Sequence, residues 1–297
     1  MPPEGEVWAG DDAAVVKVPV SPPGQAPLLL LAADAVVAGV DADLSLTTLA
    51  DFGWKAMAVN LSDIAAMGGR PAHALVSVVG LGPDELEDLY EGIVQAGAEF
   101  GCDVVGGDLS AGREVVVSVA VTGWVDGEPV LRSGAGPGDR IWVTAPLGAA
   151  AAGLRLLRQA GTGAHDWEPA DQALVSAHAR PRPAVAEGVV ARLVGATAMI
   201  DVSDGLAADL DQLARCSGVG LDLESVPVAE GAAIDEALAG GDDYVLVFTT
   251  PGPADVVNAF RAAGVPAPYM IGECVADVRL RRVAGKTLKV VGWEHSL

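Results

Sequence analysis

The sequence predicts a two-domain α/β (α+β) fold. Short β-like apolar runs alternate with helical patterns along the whole chain, and a Gly/Pro-rich stretch interrupts that alternation near the middle. Length and composition agree, because 297 residues of which 51% are hydrophobic suffice for one large core or two ordinary ones. A mean hydropathy of +0.38 removes disordered and fibrous classes.

Strands are predicted over 14–18 and 28–33, apolar stretches bounded by Gly, Pro or Asp. A long helix over 47–67, low in Gly and Pro, is stopped by Gly68-Gly69 and Pro71. After a strand over 73–81, an amphipathic helix over 84–100 sets Leu86, Leu89, Tyr90, Ile93 and Val94 on one face, with acids opposite. Strands over 102–105 and 114–125 complete the first half. The run Arg132-Ser-Gly-Ala-Gly-Pro-Gly-Asp139 suits a domain junction, so the boundary is set near Ser133, dividing 1–133 from 134–297. The second half begins with a strand over 140–144, a helix over 149–159, a surface loop over 161–165 and, after Pro181-Arg182-Pro183, a helix over 184–193. It continues with a strand over 198–202, a helix over 206–216, a strand over 244–249, a helix over 254–263 and a closing hairpin over 278–291.

Charge and spacing exclude several function classes. Forty acidic against 18 basic residues give a net charge of -22, which argues against gripping nucleic acid or anionic lipid by general electrostatics. No apolar run approaches the roughly 18 residues of a membrane helix. The opening Met-Pro-Pro-Glu-Gly-Glu has neither a basic region nor an apolar signal core, so the cytoplasm is the expected location. Cys102, Cys216 and Cys274 lack CxxC spacing and read as buried thiols. Four histidines in unrelated contexts, with no G-x-S-x-G, speak against a hydrolytic triad. Zincin, P-loop and simple Rossmann signatures are missing too.

What recurs is aspartate beside glycine or another small residue at the ends of apolar runs. The sites are Gly10-Asp11-Asp12, Ala33-Asp34, Ser62-Asp63, Gly106-Gly107-Asp108, Asp201-Val202-Ser203-Asp204-Gly205 and Gly240-Gly241-Asp242-Asp243. Carboxylates that converge repel one another, so a fold that brings them together requires bound cations. Mg²⁺ shared with phosphate oxygens is the natural candidate, and the glycines let backbone N–H groups approach phosphate. Taken singly, each site also fits an ordinary turn or helix cap. The halves echo each other faintly, Ser62-Asp63 against Ser203-Asp204, each between an apolar run and small residues.

The motifs, taken in order, are more specific. Gly10-Asp-Asp-Ala-Ala-Val-Val16, Lys55-Ala-Met-Ala-Val-Asn-Leu-Ser-Asp-Ile-Ala-Ala-Met-Gly68, Gly106-Gly-Asp108, Arg132 to Asp139, Ile200-Asp-Val-Ser-Asp-Gly-Leu206, Gly240-Gly-Asp-Asp-Tyr244 and the tail Gly292-Trp-Glu-His295 span nearly the whole chain. This series resembles the thiamine-monophosphate kinase family, within the superfamily of aminoimidazole ribonucleotide synthetase. The resemblance implies the two-domain aminoimidazole ribonucleotide synthetase-like fold. In it an N-terminal sheet domain pairs in a dimer, a C-terminal α/β domain follows, and ATP binds at the cleft between domains and subunits. It also implies ATP- and Mg²⁺-dependent transfer of the γ-phosphoryl group to thiamine monophosphate, giving thiamine diphosphate. By the same resemblance Asp12, Asp34, Asp63, Asp108, Asp201 and Asp204 look like magnesium ligands, with Asp63, Asp108 and Asp204 closest to the chemistry. Arg132, Ser203 and a Gly107-Asp108 turn would contact ATP, and Asp41, Asp242 and Trp293 would face the acceptor.

Some positions depart from the family pattern. Ala32-Ala33 stand where the family has Ser-Thr, Asp41 replaces a histidine, Asp242 replaces a glutamate, Val245 replaces a second glutamate, and Leu109-Ser110 replace threonines. These departures keep two alternatives open: an enzyme of the same fold with another small acceptor, and a non-catalytic nucleotide-binding homologue. Lys55 and Pro146-Leu147-Gly148 are assigned to packing, and Trp8, Trp54, Trp124, Trp142 and Trp167 to core or domain interface.

Overall fold

The computed structural model describes residues 14–17, 27–162, 165–252 and 254–293. Its first sheet holds β1 (Ala14–Lys17), β2 (Leu28–Val37), β3 (Arg70–Val79), β4 (Asp103–Ser110) and β5 (Val116–Val125) in the spatial order β1-β2-β5-β3-β4. All pairs are antiparallel except β3 with β4, the pair joined by a helical crossover. Helices α1 (Leu49–Ala66) and α2 (Pro83–Phe100) cover one face. Strand alternation decides which residues meet them: Leu30, Val36, Ala74, Val76, Val117, Val119 and Val121 are buried there. The opposite face, with Leu31 and Leu75 among small side chains, is open.

The second sheet has the order β12-β11-β8-β10-β6-β9-β7. Its strands are β6 (Arg140–Val143), β7 (Ala198–Asp201), β8 (Gly220–Leu223), β9 (Leu246–Thr250), β10 (Tyr269–Val275), β11 (Arg281–Val283) and β12 (Lys286–Thr287). The helices are α3 (Ala149–Ala160), α4 (Pro169–Ala179), α5 (Val185–Leu193), α6 (Leu206–Ser217), α7 (Ile234–Ala239) and α8 (Val256–Ala262). Successive residues of the central strands feed two cores. Ile141, Ile200 and Val247 pack with α6, whereas Trp142, Met199 and Phe248 pack with α5 and α8. Every residue of β9 is buried, as expected of a strand covered on both faces.

Between these layers lies α1, with 14 of its 18 residues buried. A helix enclosed on all sides cannot be amphipathic, and α1 is built from Ala, Met, Leu and Ile with a few polar residues placed where they find partners. Its first turn is tied to the second half. The Trp54 Nε1–H donates to Pro181 O at 2.8 Å, Asp51 pairs with Arg180, and that guanidinium sits 5.4 Å from the centre of the Trp54 ring.

Several elements differ from the sequence reading. β2 continues through Asp34 to Val37, and β4 through Gly107 and Asp108 to Ser110, so the expected Gly107-Asp108 turn is strand paired with β3. The strand expected over 244–249 starts only at Leu246, because Asp242 and Tyr244 adopt φ of 69° and 49°. The closing hairpin contracts to β11 and β12. Elements α4, β8, α7 and β10 were not anticipated, and Cys216, expected to be buried, is exposed on the last turn of α6, while Cys102 and Cys274 are buried. Among the described residues no helix is long and apolar enough to cross a membrane.

The contact between α1 and α2 depends on Gly92, where an added Cβ would lie 1.7 Å from Ala50 O. Gly92→Ala should therefore force the helices apart and cost roughly 1–3 kcal/mol; a lowered urea midpoint with an unchanged slope is the expected result.

Candidate active site

A cleft of about 860 Å³ opens between the two halves. One wall is a stripe of α1: Lys55, Val59 and Asp63, spaced four apart, fall on a single helix face and line it. Asp34 enters from β2, on the strand face that meets the helices, since it pairs across the ladder with buried Val119. Its backbone N–H donates to Asn60 Oδ1 at 2.8 Å, which pins this stretch of β2 to α1.

The opposite wall comes from the second half. Asp201 ends β7, and Ser203 and Asp204 occupy the short loop before α6. The buried Ser62 Oγ donates to Asp201 Oδ2 at 2.7 Å, so the two echoing Ser-Asp segments meet in space. Neither is a Ser or Asp N-cap. Ser62-Asp63 lies inside α1, and the N-cap of α6 is Gly205; Asp209, within α6, instead holds the preceding loop, its Oδ2 accepting the N–H groups of Asp204 and Gly205, each at 3.1 Å. Burial first, then the neighbouring Asp201 and Asp204, push the Asp209 carboxyl up to about 8.

The 240–244 loop is stitched to the same wall. Asp242 N–H donates to Ser203 O, and Tyr244 N–H to Val202 O, both at 2.9 Å. Gly241 allows this approach, because a Cβ there would stand 2.4 Å from Ser203 O. The Asp242 carboxylate accepts from Lys55 Nζ at 2.7 Å and from the Tyr244 hydroxyl at 3.0 Å. At the end of the described chain the Trp293 backbone N–H donates to Asp204 O at 3.0 Å, which places its half-exposed indole at the cleft.

Of the residues singled out in the sequence, Asp34, Asp41, Asp63, Arg132, Asp201, Ser203, Asp204, Asp242 and Trp293 line this one cleft. Asp41 is also occupied locally, its Oδ2 accepting Val37 N–H at 2.8 Å in the turn after β2. Gly107 and Asp108 are not among the lining residues. Asp108 pairs with Ser77, and that residue with Ser118, on the open face of the first sheet. Asp12 lies outside the described residues. Lys55, read as a packing residue, belongs to the cleft, as do Arg155, Arg158, His178 and Glu236, which sequence reasoning passed over. The four-residue spacing from Lys55 to Asp63 was the available signal for the lysine; the others come from helices whose placement no local pattern reveals.

Family models agree with this architecture. The model of the AIR synthase related protein N-terminal domain matches residues 10–125, and that of the C-terminal domain matches residues 136–285. A thiamine-monophosphate kinase of Rhodopirellula baltica is 34% identical over 95% of this chain and 88% of its own. The chain belongs to the thiamine-monophosphate kinase family. A solved thiamine-monophosphate kinase from Stenotrophomonas maltophilia is 33% identical, covers 96% of this chain and 92% of its own, and superposes with a TM-score of 0.80. The structure of AaThiL complexed with AMPPCP and TMP is 31% identical, covers 97% and 92%, and gives a TM-score of 0.83.

The start of α3, whose Ala150 and Ala151 line the cleft, depends on Asp243, whose carboxylate accepts the N–H groups of Gly148 at 2.7 Å and Ala150 at 3.2 Å. Burial pushes its pKa up to about 6. Folding therefore takes up a proton between the ordinary carboxylate range and pH 6, and this contribution to stability declines as pH rises through that window. Relative to wild type, Asp243→Asn should gain stability between pH 4 and 7; urea midpoints that move in parallel would contradict the assignment.

Proposed function

We propose that the protein transfers the γ-phosphoryl group of ATP to thiamine monophosphate, giving thiamine diphosphate and ADP. The observation that carries this is the convergence of Asp34, Asp63, Asp201 and Asp204 with Arg132, Ser203 and Trp293 in one cleft, in a chain 31% identical to AaThiL complexed with AMPPCP and TMP. A phosphate oxygen of the acceptor attacks the γ-phosphorus while the bond to the β–γ bridging oxygen breaks, and ADP leaves. The attacking oxygen is already anionic, so the protein needs no general base; its work is alignment and compensation of charge.

The donor set fits Mg²⁺. Mg²⁺ is a hard cation that takes oxygen ligands, and the carboxylates lining the cleft would supply part of them, leaving positions for phosphate oxygens and water. In this reading Asp12, Asp34, Asp63, Asp108, Asp201 and Asp204 hold magnesium, and Asp63, Asp108 and Asp204 lie closest to the transferring group. Bound there, Mg²⁺ supplies neutralisation of the phosphate charge. Arg132 and Ser203, with Gly107 and Asp108, contact ATP. Asp41, Asp242 and Trp293 contact the acceptor, whose cationic ring is matched by an indole face and fixed carboxylates.

We further propose a homodimer formed through the open face of the first sheet, where Leu31, Ala33, Ala35, Leu75 and Ala120 leave an apolar surface. Pairing there puts Asp108 at the subunit boundary, so each ATP site draws on both chains. Residues 1–133 then form the pairing domain and 134–297 the second wall of the cleft. A cytoplasmic setting, where ATP is abundant, suits this chemistry. The alternatives of another acceptor or of a non-catalytic homologue are not favoured by relatives named thiamine-monophosphate kinase over most of the chain.

Purified protein with ATP, thiamine monophosphate and Mg²⁺ should form thiamine diphosphate, and chelation should abolish it. Asp63→Asn should lower turnover on the order of 100-fold or more with unchanged circular dichroism; unaltered turnover would refute the assignment of Asp63, and no wild-type product would refute the kinase reading. The solution mass should be twice the 30.0 kDa of one chain, and Leu75→Glu should shift it to the monomer.

A further inference from the structure

We propose that Lys55 is a positioning residue for the acceptor, acting through Asp242; the inference rests on the kinase reading above. Lys55 is only 3% exposed, yet its ammonium is 2.7 Å from Asp242 Oδ2. Asp242 Oδ1 accepts from the Tyr244 hydroxyl, and the Asp242 N–H donates to Ser203 O. Three bonds, to α1, to Tyr244 two residues on and to the 201–204 loop, thus hold Asp242 on a left-handed backbone (φ 69°) while 31% of its side-chain surface stays accessible at the cleft.

Packing alone does not explain a lysine here. An apolar side chain of similar volume would fill the space without the cost of desolvating an ammonium. His178, buried beside it, is pushed down to about 4 by burial first and by Lys55 second, so at neutral pH it adds no charge to the pair. The lysine comes from the first half and the aspartate from the second, so the pair is one of several bonds that bridge the two halves. An anion held at a fixed place on the acceptor side gives a cationic ring a preorganised contact. Loss of the ammonium leaves the carboxylate held, among the described residues, by the Tyr244 hydroxyl alone. In the proposed arrangement ATP lies on the Asp34, Asp63, Asp201 and Asp204 side, and the Lys55–Asp242 pair reaches it only through the backbone bond to Ser203.

The experiment is steady-state kinetics on the full chain, varying ATP and thiamine monophosphate separately. Lys55→Met should raise the acceptor KM about tenfold or more, with kcat and the KM for ATP within about threefold of wild type. Lys55→Arg, which keeps the charge, should recover most of the loss. Asp242→Asn should raise the acceptor KM similarly, and the double variant should be no worse than either single one. An equal rise in both KM values, or an additive double variant, would overturn the proposal by showing a structural role or independent contacts. If the methionine variant fails to fold, Asp242→Asn decides: an unchanged acceptor KM overturns the proposal. Wild-type protein without turnover would instead sink the kinase reading, and this inference with it.

Discussion

Everything in the molecule follows from the burial of α1. A helix enclosed between two sheets can keep Lys55, Asn60 and Ser62 in its interior positions only if each finds a partner, because an unpaired polar group there costs several kcal/mol. Asn60 satisfies itself on Ala56 O and β2, Ser62 on Asp201 at the end of β7, and Lys55 on Asp242. Among the described residues no buried side-chain nitrogen or oxygen is left without a hydrogen bond. The same three bonds that make the helix tolerable in the core bring carboxylates from β2, β7 and the 240–244 loop to one cleft. Foldability and site geometry are thus a single requirement, and neither can be relaxed without the other.

The cleft also stores strain. Asp242 and Tyr244 sit in the left-handed region, where a non-glycine residue costs on the order of 1–3 kcal/mol. Their main-chain bonds to Ser203 and Val202, the aspartate's side-chain bonds and the burial of Tyr244 over-determine this conformation. The result is a loop that turns sharply off β9 and faces its acid inward instead of continuing the strand.

Much of this was legible beforehand. Strands such as β5 and helices such as α2 carry their periodicity openly, and the recurrent aspartates next to small residues identified most of one cleft before any coordinates. The failures have physical causes. β8 has only four residues, and β10 is interrupted by Gly272 and a register shift after Met270, so neither presents an alternating run long enough to read. Gly106-Gly107-Asp108 has the composition of a turn but is held as strand by its parallel neighbour β3, a tertiary effect that no local rule encodes. The lysine was misread because burial of a charge is decided by its partner, and Asp242 is 187 positions away in sequence.

The lining of the cleft has a kinetic meaning as well. Eight carboxylates, those of Asp34, Asp41, Asp43, Asp63, Asp201, Asp204, Glu236 and Asp242, face four cations, Lys55, Arg132, Arg155 and Arg158, on a chain of net charge -22. Long-range steering therefore works against a bare polyanion, whose encounter with the mouth of the cleft is slowed by a field that salt screens over about 8 Å at physiological ionic strength. Association of the phosphoryl donor should accelerate as ionic strength rises, the reverse of the behaviour of proteins that draw nucleotides in with a basic surface. Entry is open mainly to donors that arrive with their charge already compensated.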